Sequence, residues 1–225
     1  MRTREGKLVV FEGADGVGKS TLAHWFAEHV RASGEACRLL SFPGKEPATL
    51  GLHVYDLHHD PSKFGISGFS QTSLQLLHIA AHIDAIEGRI KPLLKDGCSV
   101  VLDRFWWSTY VYGLVDGISP ATLDSMIAIE RAAWAPVRPD RLFLIARNEP
   151  LRQEPMDVWP HWQQAYLALA RTEASCHPVT VVNNDGELKQ AEERIFRQNR
   201  LIFLGCFQIS AIPARYEKHQ ILTLL

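Results

Sequence analysis

The stretch Gly13-Ala14-Asp15-Gly16-Val17-Gly18-Lys19-Ser20-Thr21 constrains this chain more than any other, because it fills every position of G-x-x-x-x-G-K-S. It follows Lys7–Glu12, a short apolar run with β character, and precedes Leu22-Ala23-His24-Trp25-Phe26-Ala27, which reads as an opening helix. A strand, a glycine-rich loop and a helix in this order form an anion cradle. Gly13, Gly16 and Gly18 let the backbone curl and aim N–H groups inward, and the helix N-terminus adds partial positive charge. Lys19 is then placed to reach β- and γ-phosphates, with the Ser20 hydroxyl available to Mg²⁺. The pattern predicts a nucleoside triphosphate site.

The rest of the chain supplies a matching frame. Apolar runs at Lys7–Glu12, Ala36–Phe42, Cys98–Leu102, Arg141–Ala146 and Val179–Val182 alternate with helical patterns. The helices are expected from the loop to about Ala32, over Leu50–Asp60, Phe69–Lys95, Trp106–Leu114, Ser119–Trp134, Pro160–Ser175 and Glu187–Gln198. Pro92 is positioned to bend or shorten the long third helix. Strands spaced by helices in this way predict an α/β fold with a five-stranded parallel sheet flanked by helices. Ligands in such folds bind at the C-terminal edge of the sheet. Phe42-Pro43-Gly44-Lys45 and Asp103-Arg104 both leave strands at that edge. The 225 residues suit one domain, expected over residues 1–200, with residues 201–225 as an extension of unassigned role.

Charge and cysteine content narrow the classes. The formal net charge of −1 argues against a broad nucleic-acid surface. The four cysteines, Cys37, Cys98, Cys176 and Cys206, make no C-x-x-C pair, so free and mostly buried thiols in a reducing cytoplasm are expected. No secretory leader and no apolar run of membrane-spanning length is apparent.

The residues reached so far resemble the thymidylate kinase family of P-loop nucleoside monophosphate kinases. The resemblance runs over roughly Lys7–Gln198. It is carried by Phe11-Glu12-Gly13-x-Asp15-Gly16-x-Gly18-Lys19-Ser20-Thr21, Phe42-Pro43-x-Lys45, Ile90-Lys91-Pro92-x-Leu94, Asp103-Arg104-Phe105-x-x-Ser108, Arg138-Pro139-Asp140 and Tyr166-Leu167-Ala168-Leu169-Ala170. It implies a P-loop three-layer sandwich and transfer of the ATP γ-phosphate, with Mg²⁺, to a nucleoside monophosphate, dTMP by default. The implied phosphate-binding set is Gly13 to Thr21. The implied catalytic set is Lys19, Asp15, Asp103 and Arg104, with Arg147 and Arg152 as the candidates for a short lid. Ser20 and Asp103 would face the metal. Phe42, Pro43, Lys45, His78, His82, Arg104, Ser108 and Tyr112 would face the acceptor. The resemblance further implies a homodimer; the cysteine pattern, the absence of a membrane-length apolar run and the net charge lead to the expectation of a cytoplasmic protein with no membrane or nucleic-acid partner.

Several positions depart from the family pattern. Lys45 stands where the family usually carries Arg, and keeps the charge while losing the fork. His78 and His82 fall where the family places a base-stacking aromatic and a base-reading Arg. They are one turn apart on one helical face. An altered base pocket, ordinary packing and a metal-ligating pair are three open readings of them. Trp106, Trp107, Tyr110 and Tyr112 are candidates for an aromatic wall beside the acceptor, or for core. His53, His58, His59 and Asp60 read as a solvated helix end rather than a metal site. Two rival functions also stand: an ATP-binding switch with weak phosphotransfer, motivated by the short lid, and a deoxynucleoside kinase, which would need a carboxylate base near the first strand.

Overall fold

The computed structural model describes residues 5–199, the side chains of the last of these excepted. The expectations placed on residues 201–225 and on Cys206 therefore lie outside the described residues. Five parallel strands, β1 (Leu8–Glu12), β2 (Cys37–Ser41), β3 (Ser99–Asp103), β4 (Arg141–Ala146) and β5 (Val179–Asn183), form one sheet in the order β2-β3-β1-β4-β5. Strand β1 is buried along its whole length, which explains its unbroken apolar sequence up to Glu12. It is flanked by β3, with Phe11 opposite Asp103, and by β4, with Glu12 opposite Leu144. That register puts the phosphate loop at the centre of the C-terminal edge, between Asp103 on one side and the β4 exit on the other.

The helices are α1 (Lys19–Ala32), α2 (Leu50–His59), α3 (Gln71–Ala85), α4 (Lys91–Lys95), α5 (Trp106–Val115), α6 (Pro120–Trp134), α7 (Trp159–Glu173) and α8 (Leu188–Asn199). They follow the sequence expectation within a few residues, with two differences. The long helix begins at Gln71, where the Ser70 side chain caps the amide of Ser73, and it is interrupted by a π turn at Ile86–Ile90 before α4. Pro92 has no N–H to give the Gly88 carbonyl, and the chain relaxes by one wider turn in which Lys91 N–H reaches back to Ile86 O. The segment after α2, expected as plain loop, contains a 3-10 turn at Pro61–Phe64.

The thiols differ from expectation as well: Cys37 is buried, Cys98 is half-buried and Cys176 is exposed. Burial pushes the Cys37 thiol up to about 11, so it behaves as a small apolar side chain. Trp107 lies fully in the core, and Trp106, also buried, lines a separate pocket with Tyr110, Asp124 and Arg131, away from the Arg104 cluster. Among the described residues no helix is long and apolar enough to cross a membrane.

Candidate active site

The phosphate loop is shaped from outside. Its carbonyls at Asp15, Gly16 and Val17 accept from Trp159 Nε1 (2.7 Å), the Leu151 amide (2.8 Å) and Asn184 Nδ2 (2.8 Å) respectively. Each donor lies beyond the concavity, on the β4–β5 side. Across a trans peptide the carbonyl of one residue and the N–H of the next point oppositely, so these bonds turn the amides of Gly16, Val17 and Gly18 away from the donors and toward the cradle. Gly16 and Gly18 have φ of 78° and 87°. Added methyls there would meet Pro150 Cβ at 2.8 Å and Asn184 Nδ2 at 2.6 Å, so the glycines serve both the turn and the close approach of the supporting segment.

Lys19 is buried at the head of α1. Its desolvation, with Arg104 nearby, pushes the ammonium below its ordinary value despite Asp103, Asp15 and Glu12. A bound polyanion would supply the charge this site favours. Ser20, next to it, is exposed on the open side of the loop.

Arg104 is the centre of the other half. It follows the end of β3 with φ of 77°, an uncommon conformation for a residue with a side chain, and its amide donates to Phe11 O at 2.9 Å. Its guanidinium pairs with Asp15 of the phosphate loop, donates to Ser108 Oγ at 3.3 Å and lies 5.6 Å from the centre of the Tyr112 ring. Desolvation favours neutral Asp15, but Arg104 and Lys19 together outweigh it and hold the carboxyl below the usual carboxylate range. Tyr112 is the one aromatic of its group that reaches this site. Burial pushes its phenol well up, so it stays neutral.

Glu12, weighed from the sequence only as a base for a sugar hydroxyl and not obviously placed for that, ties the two halves together. It is fully buried. Its Oε1 accepts from the amides of Phe105 (2.7 Å) and Ser108 (3.0 Å), and its Oε2 from the amide of Gly13 (3.2 Å) and Ser108 Oγ (2.9 Å). The carboxylate thereby caps α5 from another strand, at the helix end where negative charge is stabilising. Ser108 Oγ in turn accepts from Tyr166 Oη at 2.9 Å. Burial raises the Glu12 carboxyl against the pull of Arg104 and these donors. The sequence signal was there: a carboxylate ending an otherwise apolar central strand.

The residues expected at the acceptor side come together around α3. Phe42 leaves β2 with its amide on Asp103 O (3.0 Å), and its ring stacks on His82, with centroids 4.0 Å apart. His78 Nε2 lies 3.2 Å from His58 Nδ1 of α2, and desolvation, reinforced by His82, His58 and Arg104, pushes His78 down to about 3. The imidazole is therefore neutral. Lys45 is exposed, its ammonium 4.4 Å from the centre of the Tyr55 ring. Pro43 packs against α2, where Gly51 is required: a methyl on it would meet Pro43 O at 1.8 Å. His53 and His59 are exposed, and His59 stacks on Tyr55. Among the described residues no group of three or more His, Cys, Asp or Glu side chains could hold a metal by itself.

The lid candidates stand apart from this cluster. Arg147 donates to the carbonyls of Glu149 (3.0 Å) and Asn184, bracing the loops after β4 and β5 rather than reaching the phosphate loop. Arg152 is exposed and paired with Glu154 at 2.6 Å, on the segment whose Leu151 is bound to Gly16.

A five-stranded parallel sheet with the glycine loop at the exit of its central strand defines a P-loop α/β protein. The thymidylate kinase family model matches residues 11–158, and the chain belongs to that family. It is 38% identical over 125 residues to a thymidylate kinase of Dinoroseobacter shibae, covering 55% of this chain and 58% of that one. It is 34% identical over 141 residues to a thymidylate kinase of Chlorobaculum parvum, covering 61% and 60%. The matched region thus spans less than two thirds of these relatives. The crystal structure of thymidylate kinase from Ehrlichia chaffeensis has the same fold, with a TM-score of 0.70 and 24% identity over 86% of this chain and 98% of that one.

Proposed function

We propose that the protein transfers the γ-phosphate of ATP to a nucleoside monophosphate, with dTMP as the acceptor. The observation that carries this reading is Arg104, held between Asp15 of the phosphate loop and Ser108, with the Tyr112 ring beside it. One guanidinium so placed can grip an acceptor phosphate beside the transferring group and present its forked donors to both. Transfer between two phosphates needs alignment and charge neutralisation more than a covalent intermediate. The preset amides of the loop and Lys19 take the donor phosphates, and Arg104 takes the acceptor. The family membership supports the same reaction.

The donor set fits Mg²⁺ accompanying ATP. Asp103 Oδ1 is buried with no hydrogen-bond partner among the described residues, and the Ser20 hydroxyl is open at the mouth of the loop. These two residues would hold the ion, which when bound supplies neutralisation of phosphate charge. The deoxynucleoside kinase reading asks for a carboxylate base near β1. Glu12 is the carboxylate there, and its oxygens already accept four protein bonds in a sealed position.

The test is ADP formation from ATP and Mg²⁺ across a panel of nucleoside monophosphates and nucleosides. Turnover with dTMP, reduced at least about 100-fold in Lys19→Ala, is the expected result. Turnover with nucleosides alone, or ATP binding without acceptor-dependent turnover, would overturn the reading.

A further inference from the structure

The pocket floored by Trp106 carries charges that phosphoryl transfer does not use. It opens between α5, α6 and α7 and holds about 390 Å³, within the ~300–1,000 Å³ of small-ligand sites. Arg131 is seated in it. Its guanidinium lies 4.3 Å from the centre of the Trp106 ring and donates to Glu173 Oε1 at 2.7 Å. An aromatic face and a carboxylate thus hold a positive charge between them. Glu173 is committed there: its side chain is 11% exposed, and its other oxygen lies 3.5 Å from His177 Nε2.

The same two elements occur a second time in the pocket. Tyr110, one turn after Trp106 on α5, and Asp124, two turns before Arg131 on α6, both line it. The Tyr110 ring stands edge-on to Trp106, with centroids 6.4 Å apart. The Asp124 carboxylate makes no ion pair or hydrogen bond among the described residues. Burial raises the Tyr110 phenol, and Asp124 and Glu173 add to the shift against Arg131, so the ring stays neutral. Two carboxylates against one guanidinium leave the pocket one negative charge in surplus. Ile127 and Leu169 supply apolar wall.

We propose that this pocket binds a small organic ammonium ion, its charge held by the Asp124 carboxylate and the Tyr110 ring and its apolar body laid along Ile127 and Leu169. The alternatives fit less well. An anion would have to draw Arg131 away from Glu173. A bare metal ion would find one uncommitted carboxylate and an apolar wall. A neutral ring would leave Asp124 without a partner. The pocket shares no lining residue with the Arg104 cluster, so the inference does not depend on the reaction proposed above.

The probe is phenethylamine, titrated into the full chain while the Trp106 indole N–H is followed by ¹⁵N NMR. Its neutral and anionic counterparts, 2-phenylethanol and 3-phenylpropionate, are titrated beside it. Expected is a saturable shift of Trp106 and of the amides around Tyr110 and Asp124 with the amine, about 5- to 10-fold weaker binding of the alcohol, and no binding of the acid. Asp124→Asn, a substitution at an exposed position, should weaken the amine about 5-fold and leave the alcohol unchanged. Saturation with ATP or dTMP should not displace the amine. No saturable shift with the amine, equal binding of amine and alcohol, unchanged amine affinity in Asp124→Asn, or displacement of the amine by dTMP would overturn the proposal. ADP formation on the same samples reports on the kinase reading alone, so either can fail while the other stands.

Discussion

Ser108 donates twice to Glu12, through its amide at 3.0 Å and its hydroxyl at 2.9 Å, and so fastens the start of α5 to the end of β1. The hydroxyl also accepts from Tyr166 and Arg104. Replacing it leaves Glu12 Oε2 short of one donor and the buried Tyr166 hydroxyl without an acceptor. Ser108→Ala is expected to lower unfolding free energy by about 1–3 kcal/mol. Urea titration of wild type and variant measures it, and an unchanged midpoint would show the network to be dispensable.

Trp159→Phe removes one of the three donors that hold the loop carbonyls and puts a smaller aromatic ring in the buried position. The Asp15 peptide is then free to turn. The expected cost is about 1 kcal/mol of stability, with ATP affinity weakened by several-fold. Nucleotide titration against the variant reads the second effect, which packing alone would not produce.

Acid should unfold the protein partly through His78. Its pKa is depressed by burial from the ordinary histidine value to about 3, so the folded state resists a proton that the unfolded chain takes up. The stability linked to this neutral histidine is fully present above about pH 6.5 and is lost as pH falls from there toward about 3. His78→Gln should flatten that part of the stability–pH curve. Thermal unfolding from pH 7 to 4 for both proteins is the measurement, and parallel curves would remove His78 as the cause.

Gly51→Ala places a methyl where Pro43 O already lies, 1.8 Å from the ideal position. Backbone must move, so the turn at Phe42–Lys45 shifts away from α2. The expected cost is about 1–3 kcal/mol, with weaker acceptor binding and ATP affinity retained. Loss of ATP affinity to the same degree would place the effect elsewhere.

Much of this was legible in the chain itself. The unbroken apolar character of β1 marks a central parallel strand, and helix boundaries follow from Ser119-Pro120 and from Gly34, Gly97 and Gly117. Phe42, Arg104 and Asp15 could be gathered because strand exits share one edge, and His78, His82 and Ser108 because the family resemblance assigns those positions. What escaped notice depends on contacts distant in sequence. Asn184 and Trp159 support the phosphate loop from more than 140 positions away. Glu130 is a carboxylate on the buried face of α6, in step with Leu123, Met126, Ile127 and Trp134. That irregularity in the helical pattern was visible, but its partner on α3, His82, was not. Arg147 reads as a phosphate ligand by position and is instead committed to carbonyls, a distinction that only three-dimensional placement reveals.

The three bonds to the carbonyls of Asp15, Gly16 and Val17 mean that the identity of the nucleotide loop is distributed. Transplanting Gly13–Thr21 onto another strand–helix pair would carry the letters and leave the shape behind, because the curvature is supported by an indole, an amide side chain and a backbone amide that lie outside the loop itself. Conversely, drift at position 159 or 184 would erode triphosphate recognition while every residue of the familiar signature stayed intact.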